Sequence, residues 1–252
     1  MVRLQEFCRY LDECLDSGAI TQDYCTNGLQ LEGKQDIQRV ATAVTASLET
    51  ITQAVRWRAD ALVVHHGLFW HNENNLLIGS LGRRVRLLIE NNISLLAYHL
   101  PLDAHRSIGN NWRAAQELCW ENCMPFGMMH GVPLGVQGTF SPRPITLLCA
   151  ELEAYYQHPA SIAYGGEQLV GSAALVSGGG YKFAPMAAQQ GLHCFITGSY
   201  DEPAWHYAHE GFINFFALGH SATERVGPRT LAAYLHDQLD IETTFLDLYN
   251  PF

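Results

Sequence analysis

Apolar residues recur at helical spacing from the first residues of the chain. Leu4, Phe7, Cys8, Leu11 and Leu15 are separated by charged and polar positions, a pattern that predicts an amphipathic helix. Residues 38–47 (QRVATAVTAS) have strand character. Residues 48–59 carry Leu48, Ile51, Ala54, Val55 and Ala59 on one helical face, and residues 61–64 (ALVV) form a short apolar strand. A strand, a helix and a strand in this order make a unit that is usually parallel and right-handed. A second helix over 81–91, a strand over 94–98 and the loop HLPLDAHRSIGNN continue the alternation, which predicts an α/β layer architecture.

Between residues 124 and 144 the pattern changes. The segment is rich in Gly, Pro and Met and is punctuated by Pro125, Pro133, Pro142 and Pro144, which predicts a crossover into a second lobe. Beyond it, residues 173–177 (AALVS) read as a strand, GGG as a turn, 184–190 as a helix and 192–197 (LHCFIT) as a strand, repeating the order found over 38–66. The expected fold is therefore α/β with two similar lobes. Residues 1–124 and 217–252 would form the first, carrying most of the candidate ligands, and residues 125–216 the second.

Composition narrows the class. The chain has 252 residues, 48% hydrophobic and 16% charged, enough for a sizeable core. No apolar run approaches the roughly 18 residues a membrane span needs, and the N-terminal helix is not a signal peptide's apolar segment. A cytoplasmic protein that does not engage membranes is expected. Seven cysteines without a C-x-x-C pair read as reduced, mostly buried thiols. Cys119 and Cys123, four apart on an expected helix, fit either packing or a metal or redox role. A net charge of -10 supplies no basic footprint, so stable nucleic-acid binding is not expected, although a nucleotide can still occupy a local site.

Histidines and carboxylates cluster where apolar strands end, the edge at which open α/β sheets present functional groups. His65 and His66 close the run ALVVHH. Neighbouring side chains of an extended segment point to opposite sides, so two ions astride the strand end would take one imidazole each more readily than one ion would take both. The alternative is an unrelated pair, one buried and one exposed. In LAYHLPLDAH, His99 ends a strand and Asp103 follows in a proline-containing loop. A carboxylate complements imidazoles around a divalent transition ion, and it also serves as a turn or capping residue. In ALGHSATER, His220 and Glu224 are four apart and share a helical face. The same segment also reads as a helix start with Ser221 or Thr223 as N-cap and Glu224 near the dipole's positive end.

The segments DYCTNGLQLEG, ALVVHHGLFW, YHLPLDAHRSIGNN, ITG followed by WHYAHEG, GHSATER and FLDLYNPF, in this order and spanning nearly the whole chain, resemble the family of GTP cyclohydrolase 1 type 2 homologues. This is the YbgI-like group related to eukaryotic Ngg-interacting-factor-like proteins. The resemblance implies a two-metal site on His65, His66, Asp103, His220 and Glu224, with the doublet giving one ligand to each ion and Glu224 bridging them. It also implies two interlocked α/β lobes with that site in the cleft between them, and a toroidal homohexamer. The implied cofactors are two divalent ions per chain, of Zn, Fe, Mn, Co or Ni. The implied activity is metal-dependent hydrolysis of a small molecule, a nucleotide or related compound; the family name suggests opening of the guanine imidazole ring of GTP. A non-catalytic protein that stores or delivers ions, or holds partners around a ring, is the competing class.

Two positions depart from the family pattern. Ser199 stands where an acidic residue usually follows Thr-Gly, and Thr26 where Asp or Pro usually precedes NGLQ. His206 matches a family histidine and is the candidate acid/base or substrate contact, with a solvated helix histidine as its alternative. His99 reads either as a residue orienting a ligand or as a buried histidine bonded to backbone. Residues 177–180 (SGGG) read as a tight turn or as a phosphate-holding one, without a Walker or G-x-G-x-x-G pattern.

Overall fold

The computed structural model describes residues 1–252. The chain opens with β1 (Val2–Arg3), α1 (Leu4–Cys14), β2 (Gly28–Leu31) and β3 (Asp36–Ile37). A regular alternation follows: β4 (Arg39–Thr45), α2 (Leu48–Trp57), β5 (Ala61–His66), α3 (Gly79–Glu90), β6 (Ser94–Ala97) and the short α4 (Leu100–Ala104). After α5 (Asn110–Glu117) come β7 (Glu121–Met129), β8 (Val132–Pro144), α6 (Ile145–Tyr156), β9 (Ser161–Tyr164) and β10 (Leu169–Val176). The chain continues through α7 (Ala184–Gln189), β11 (Cys194–Thr197), α8 (Pro203–Glu210), β12 (Asn214–Ala217) and α9 (His220–Thr223), and closes with α10 (Val226–Leu239) and β13 (Glu242–Phe245).

Two units result, one of Met1–Gly109 with Gly227–Leu248, the other of Asn110–Val226 with Tyr249–Phe252. The expected division at 124 and 217 is thereby corrected at both ends. Helix α5 packs its Trp112, Ala114 and Ala115 into the second unit's core, and β12 pairs inside that unit's sheet. His220 and Glu224 therefore belong to the second unit and not, as expected, to the first.

In the first unit the strands lie in the order β13-β4-β5-β6-β2. The first four run parallel, and β2 joins antiparallel at the edge. The pleat sorts side chains by parity. Val40, Ala61, Val63 and Leu96 face a cluster with Leu4, Phe7, Leu11, Leu231 and Leu235 of α1 and α10. Ala41, Leu62, Val64 and Leu95 face the other way, onto Ile51, Ala54, Val85 and Leu88 of α2 and α3. Both faces being covered explains why these strands read as continuous apolar runs.

The second unit has the order β7-β8-β10-β11-β12-β9, parallel over β10, β11 and β12 and antiparallel at both flanks. Ala173, Leu175, Cys194, Ile196 and Phe216 pack with α5 and α6. Ala174, Val176, Phe195, Phe215 and Ala217 pack with α7 and α8. The expected crossover over 124–144 is instead a long hairpin, β7 with β8. Its prolines sit where a missing N–H does least damage. Pro125 is on the outer strand, Pro133 precedes the stretch of β8 that pairs with β10, and Pro142 falls where the β8–β10 register shifts. The expectation of a helix carrying Cys119 and Cys123 is also corrected. Cys119 has φ 56° beyond the end of α5, and Cys123 lies on β7.

Asp60 fixes the start of β5 against β4. Its buried carboxylate accepts from the amides of Gln38 (2.8 Å) and Arg39 (2.9 Å) and from Lys34 Nζ (2.5 Å). Asp60→Ala should lower stability by about 2 to 4 kcal/mol, because the amide donors lose their acceptor inside the fold. Urea denaturation should show this as a lower midpoint at unchanged m-value.

All seven cysteines are free thiols. Burial pushes the Cys25 thiol up to about 11 and that of Cys194 to about 12, whereas Cys119 is exposed. Because the thiolate is the reactive form, an aromatic disulfide reagent at pH 8 should modify Cys119 first. Cys25 and Cys194 should stay silent until denaturant is added. Peptide mapping of the labelled protein checks the order.

Candidate metal centre

Parallel pairing brings the carboxyl ends of β4, β5 and β6 to one edge of the first unit's sheet, with Thr45 opposite His66 and Val64 opposite Ala97. His65 is fully buried, and its Nδ1 lies 3.2 Å from the carbonyl oxygen of Tyr98. A carbonyl only accepts, so Nδ1 carries the proton and Nε2 presents the lone pair. His66 Nδ1 is 3.0 Å from Thr45 Oγ1. The two rings, at the last positions of β5, lie closer than strand alternation implies, with centroids 4.6 Å apart. His99, next in line beyond β6, joins them: one ligand atom each from His65, His66 and His99 lies within 4.8 Å of the others, a grouping able to hold a metal ion. Asp103 is on α4, buried, with Oδ2 3.7 Å from His65 Nε2.

The residue that sequence reasoning missed here is Asp23. Its Oδ1 is 2.6 Å from His99 Nδ1, and its Oδ2 accepts from Asn27 Nδ2 (2.8 Å) and the amide of Leu100 (3.1 Å). Asn27 Oδ1 in turn accepts from the amide of His99 (2.8 Å). Burial works to raise the Asp23 carboxyl, but the bond and charge of His99, with the bonds from Asn27 and the Cys25 amide, bring it down to about 2. The quoted DYCTNGLQ segment thus holds the third imidazole. His99 is bonded to a carboxylate side chain, so neither expectation for it described its setting fully. Thr26 acts through its main chain, its carbonyl accepting from Gln30 Nε2 (2.7 Å) and its amide donating to Phe69 (3.1 Å).

In the second unit the ends of β10, β11 and β12 repeat this convergence. His220 Nε2 lies 3.1 Å from Glu224 Oε1, and Ser199 Oγ lies 3.1 Å from His220 Nδ1. The departure at 199 therefore places a hydroxyl against the imidazole. Gly178 has φ +60°, and its carbonyl accepts from the amides of Gly198 (3.0 Å) and Ser199 (2.8 Å). A Cβ on Gly178 would stand 2.1 Å from Glu224 Oε1 and 3.1 Å from His220 Nε2. Within the SGGG turn Gly178 is a glycine because the buried Glu224 carboxylate occupies the space a side chain would take, and Gly180 because Val176 does.

His220 and Glu224 are not at the start of the long helix. His220–Thr223 is a single turn following Gly219, whose φ of 89° suits glycine, and Glu224 caps its end. Thr223 Oγ1, considered as an N-cap, donates within this turn and accepts from the amide of Gly178 (3.0 Å). His206 is on α8 with its side chain 58% exposed, 3.2 Å from Glu202 and 3.9 Å from Glu210. Those are the contacts of a solvated helix histidine, the alternative reading of this residue.

The chain is 51% identical to the GTP cyclohydrolase 1 type 2 homolog of Chlamydia pneumoniae, covering 95% of this chain and 96% of that one. It is 40% identical to the protein of that name from Escherichia coli K12, over 98% of both. Among solved structures it is similar to protein ybgI, described as of unknown function, with a TM-score of 0.93, 38% identity and 100% of both chains covered. TTHA1606 from Thermus thermophilus gives a TM-score of 0.92 and 31% identity, again over 100% of both chains. The profile of the Duf34/NIF3 (NGG1p interacting factor 3) family matches residues 2–251, and the chain belongs to that family.

Proposed function

We propose that this chain is a dinuclear metal protein that hydrolyses a nucleotide or related compound, with His65, His66, Asp103, His220 and Glu224 holding two divalent ions. The observation that carries the reading is the convergence of His65, His66 and His99 at one strand edge, with their ligand atoms within 4.8 Å. The donor set fits a cation. Imidazoles with Nδ1 held by the Tyr98 carbonyl, Thr45 or Ser199 turn Nε2 toward a ligand position. Buried Asp103 and Glu224 add the negative charge that divalent transition ions favour. The name of the chlamydial and E. coli relatives, GTP cyclohydrolase 1 type 2 homolog, supports the nucleotide class.

In this reading His65 and His66 would each offer one nitrogen to the ions, and Glu224 would be the residue able to serve both, since a carboxylate has two oxygens where an imidazole bound through Nε2 offers a single atom. Two divalent ions, when bound, would supply Lewis acidity and lower the pKa of a water. The chain's own part is placement: Gly178 keeps Glu224 seated, Ser199 and Thr45 orient the rings, and Asp23 locks His99 beside them. The ions are drawn from Zn, Fe, Mn, Co and Ni. The reading includes a homohexameric ring, supported by the exposed apolar run Leu76, Leu77 and Ile78, a kind of patch that marks assembly surfaces.

Untagged protein loaded with excess metal should hold about two ions per chain by elemental analysis. Glu224→Gln should lose at least one ion and any nucleotide or phosphoester hydrolysis, while circular dichroism stays that of the wild type. Asp103→Asn should weaken mainly one. Retention of both ions at wild-type affinity by Glu224→Gln would remove it as the bridge. Two ions without turnover, delivered instead to an apo acceptor, would replace catalysis with metal handling. Light scattering should give a mass near six times the 28.1 kDa of the chain, and a monomer across micromolar concentrations would remove the ring.

A further inference from the structure

A second feature lies in the Asn110–Val226 unit, at the same end of its sheet as His220. Between the edge strand β9 and the start of α8 is a cavity of about 140 Å³, lined among others by Ser161, Tyr200, Glu202, Trp205 and Phe215. Its walls are aromatic. Trp205 is backed by His209, ring centroids 4.2 Å apart, and Tyr200 stands edge-on to Phe215 at 6.2 Å. Both Trp205 and Tyr200 remain more than half exposed, so the core does not account for them. On the rim is the carboxylate of Glu202, whose Oε1 meets His206 at 3.2 Å.

The cavity is linked along the chain to the second unit's His220. Tyr200 follows Ser199, the residue whose hydroxyl meets His220. Ser161 pairs with Ala217, on the strand that runs into Gly219 and His220.

We propose that this cavity binds a flat nitrogen heterocycle of the guanine type, stacked on Trp205 and Tyr200 with its ring N–H and exocyclic amine donating to Glu202. The inference rests on the metal reading above for its setting and adds to it the part of the substrate that is recognised. Size admits one bicyclic ring. Unstacked bases are held on aromatic faces and read along their edges, and a carboxylate only accepts, which selects an edge bearing two N–H donors over adenine, whose corresponding edge has an acceptor at N1. A phosphate is disfavoured at the rim, beside the carboxylate of Glu202. The ring therefore enters the cavity and its anionic substituents stay outside. His206 gains a part as the residue that holds Glu202.

Guanosine, adenosine and uridine would be titrated into the full chain as purified and again after chelation, following tryptophan fluorescence and heat. Guanosine should bind saturably in both forms and at least about tenfold more tightly than adenosine or uridine. Trp205→Ala should weaken it by about tenfold or more, as loss of a stacking face does, and Trp205→Phe should keep most of the affinity. Glu202→Gln should abolish the preference for guanosine. The number of ions per chain should be unchanged in all three variants. Guanosine affinity unaltered in Trp205→Ala, or no saturable binding up to millimolar concentration, overturns the base site while leaving the ion count intact. Loss of ions from the ligand variants with guanosine binding retained would instead remove the metal reading and keep the cavity.

Discussion

Parallel strand pairing is the constraint on which the rest of this molecule depends. Parallel neighbours all end at one edge, so whatever follows each strand is delivered to the same place. In the first unit that edge receives Thr45 and Ala46 from β4, His65 and His66 from β5, and Tyr98 and His99 beyond β6. The hydrogen bonds that orient the imidazoles follow from register: Thr45 faces His66 across the ladder, and the Tyr98 carbonyl falls beside His65. A slip of one residue would move His65 and His66 each to the opposite sheet face and remove both partners. Asp60, which ties the start of β5 to β4, therefore acts on the far end of the same strand.

The second unit obeys the same rule with different means. Its parallel strands end in Val176, Thr197 and Ala217, and the residues beyond them are glycine-rich. Close approach of the loops is the reason: the Gly178 carbonyl takes two amides from the β11 loop, and the Gly198 Cα faces Thr223 and His220 with no room for a side chain. A buried carboxylate at Glu224 needs that proximity, because burying charge is costly unless it is paired or hydrogen-bonded.

Much of this was legible in the sequence because short continuous apolar runs and period-3.6 helices are separately encoded. The strands at 39–45, 61–66 and 94–97 and the helices between them sit close to where their patterns put them, and so do β10, α7 and β11. The hairpin of β7 and β8 was not legible, since its prolines mimic a loop unless one knows that the first strand is an edge and that the second carries a register shift. The unit boundary was misplaced for a related reason: α5 looks like an ordinary amphipathic helix, and only tertiary packing assigns it to the second core. The pairing of His99 with Asp23 was hidden by sequence distance. No local pattern reveals that an aspartate in a loop will meet a histidine 76 residues away.

The imidazole partners also say something about how the centre is built. His65, His66 and His220 are held through Nδ1 by a carbonyl or a hydroxyl, and His99 alone by a carboxylate, in a charge-assisted bond of 2.6 Å. Asp23 is thereby committed to His99, with its remaining oxygen taken by Asn27 and Leu100. Asp103 and Glu224 differ: each is buried and meets the Nε2 of a histidine, at 3.7 and 3.1 Å. A buried carboxylate facing the lone-pair nitrogen of an imidazole is satisfied either by a proton placed between them or by a cation bound to both. Protons and metal ions thus compete for the same nitrogen and oxygen atoms.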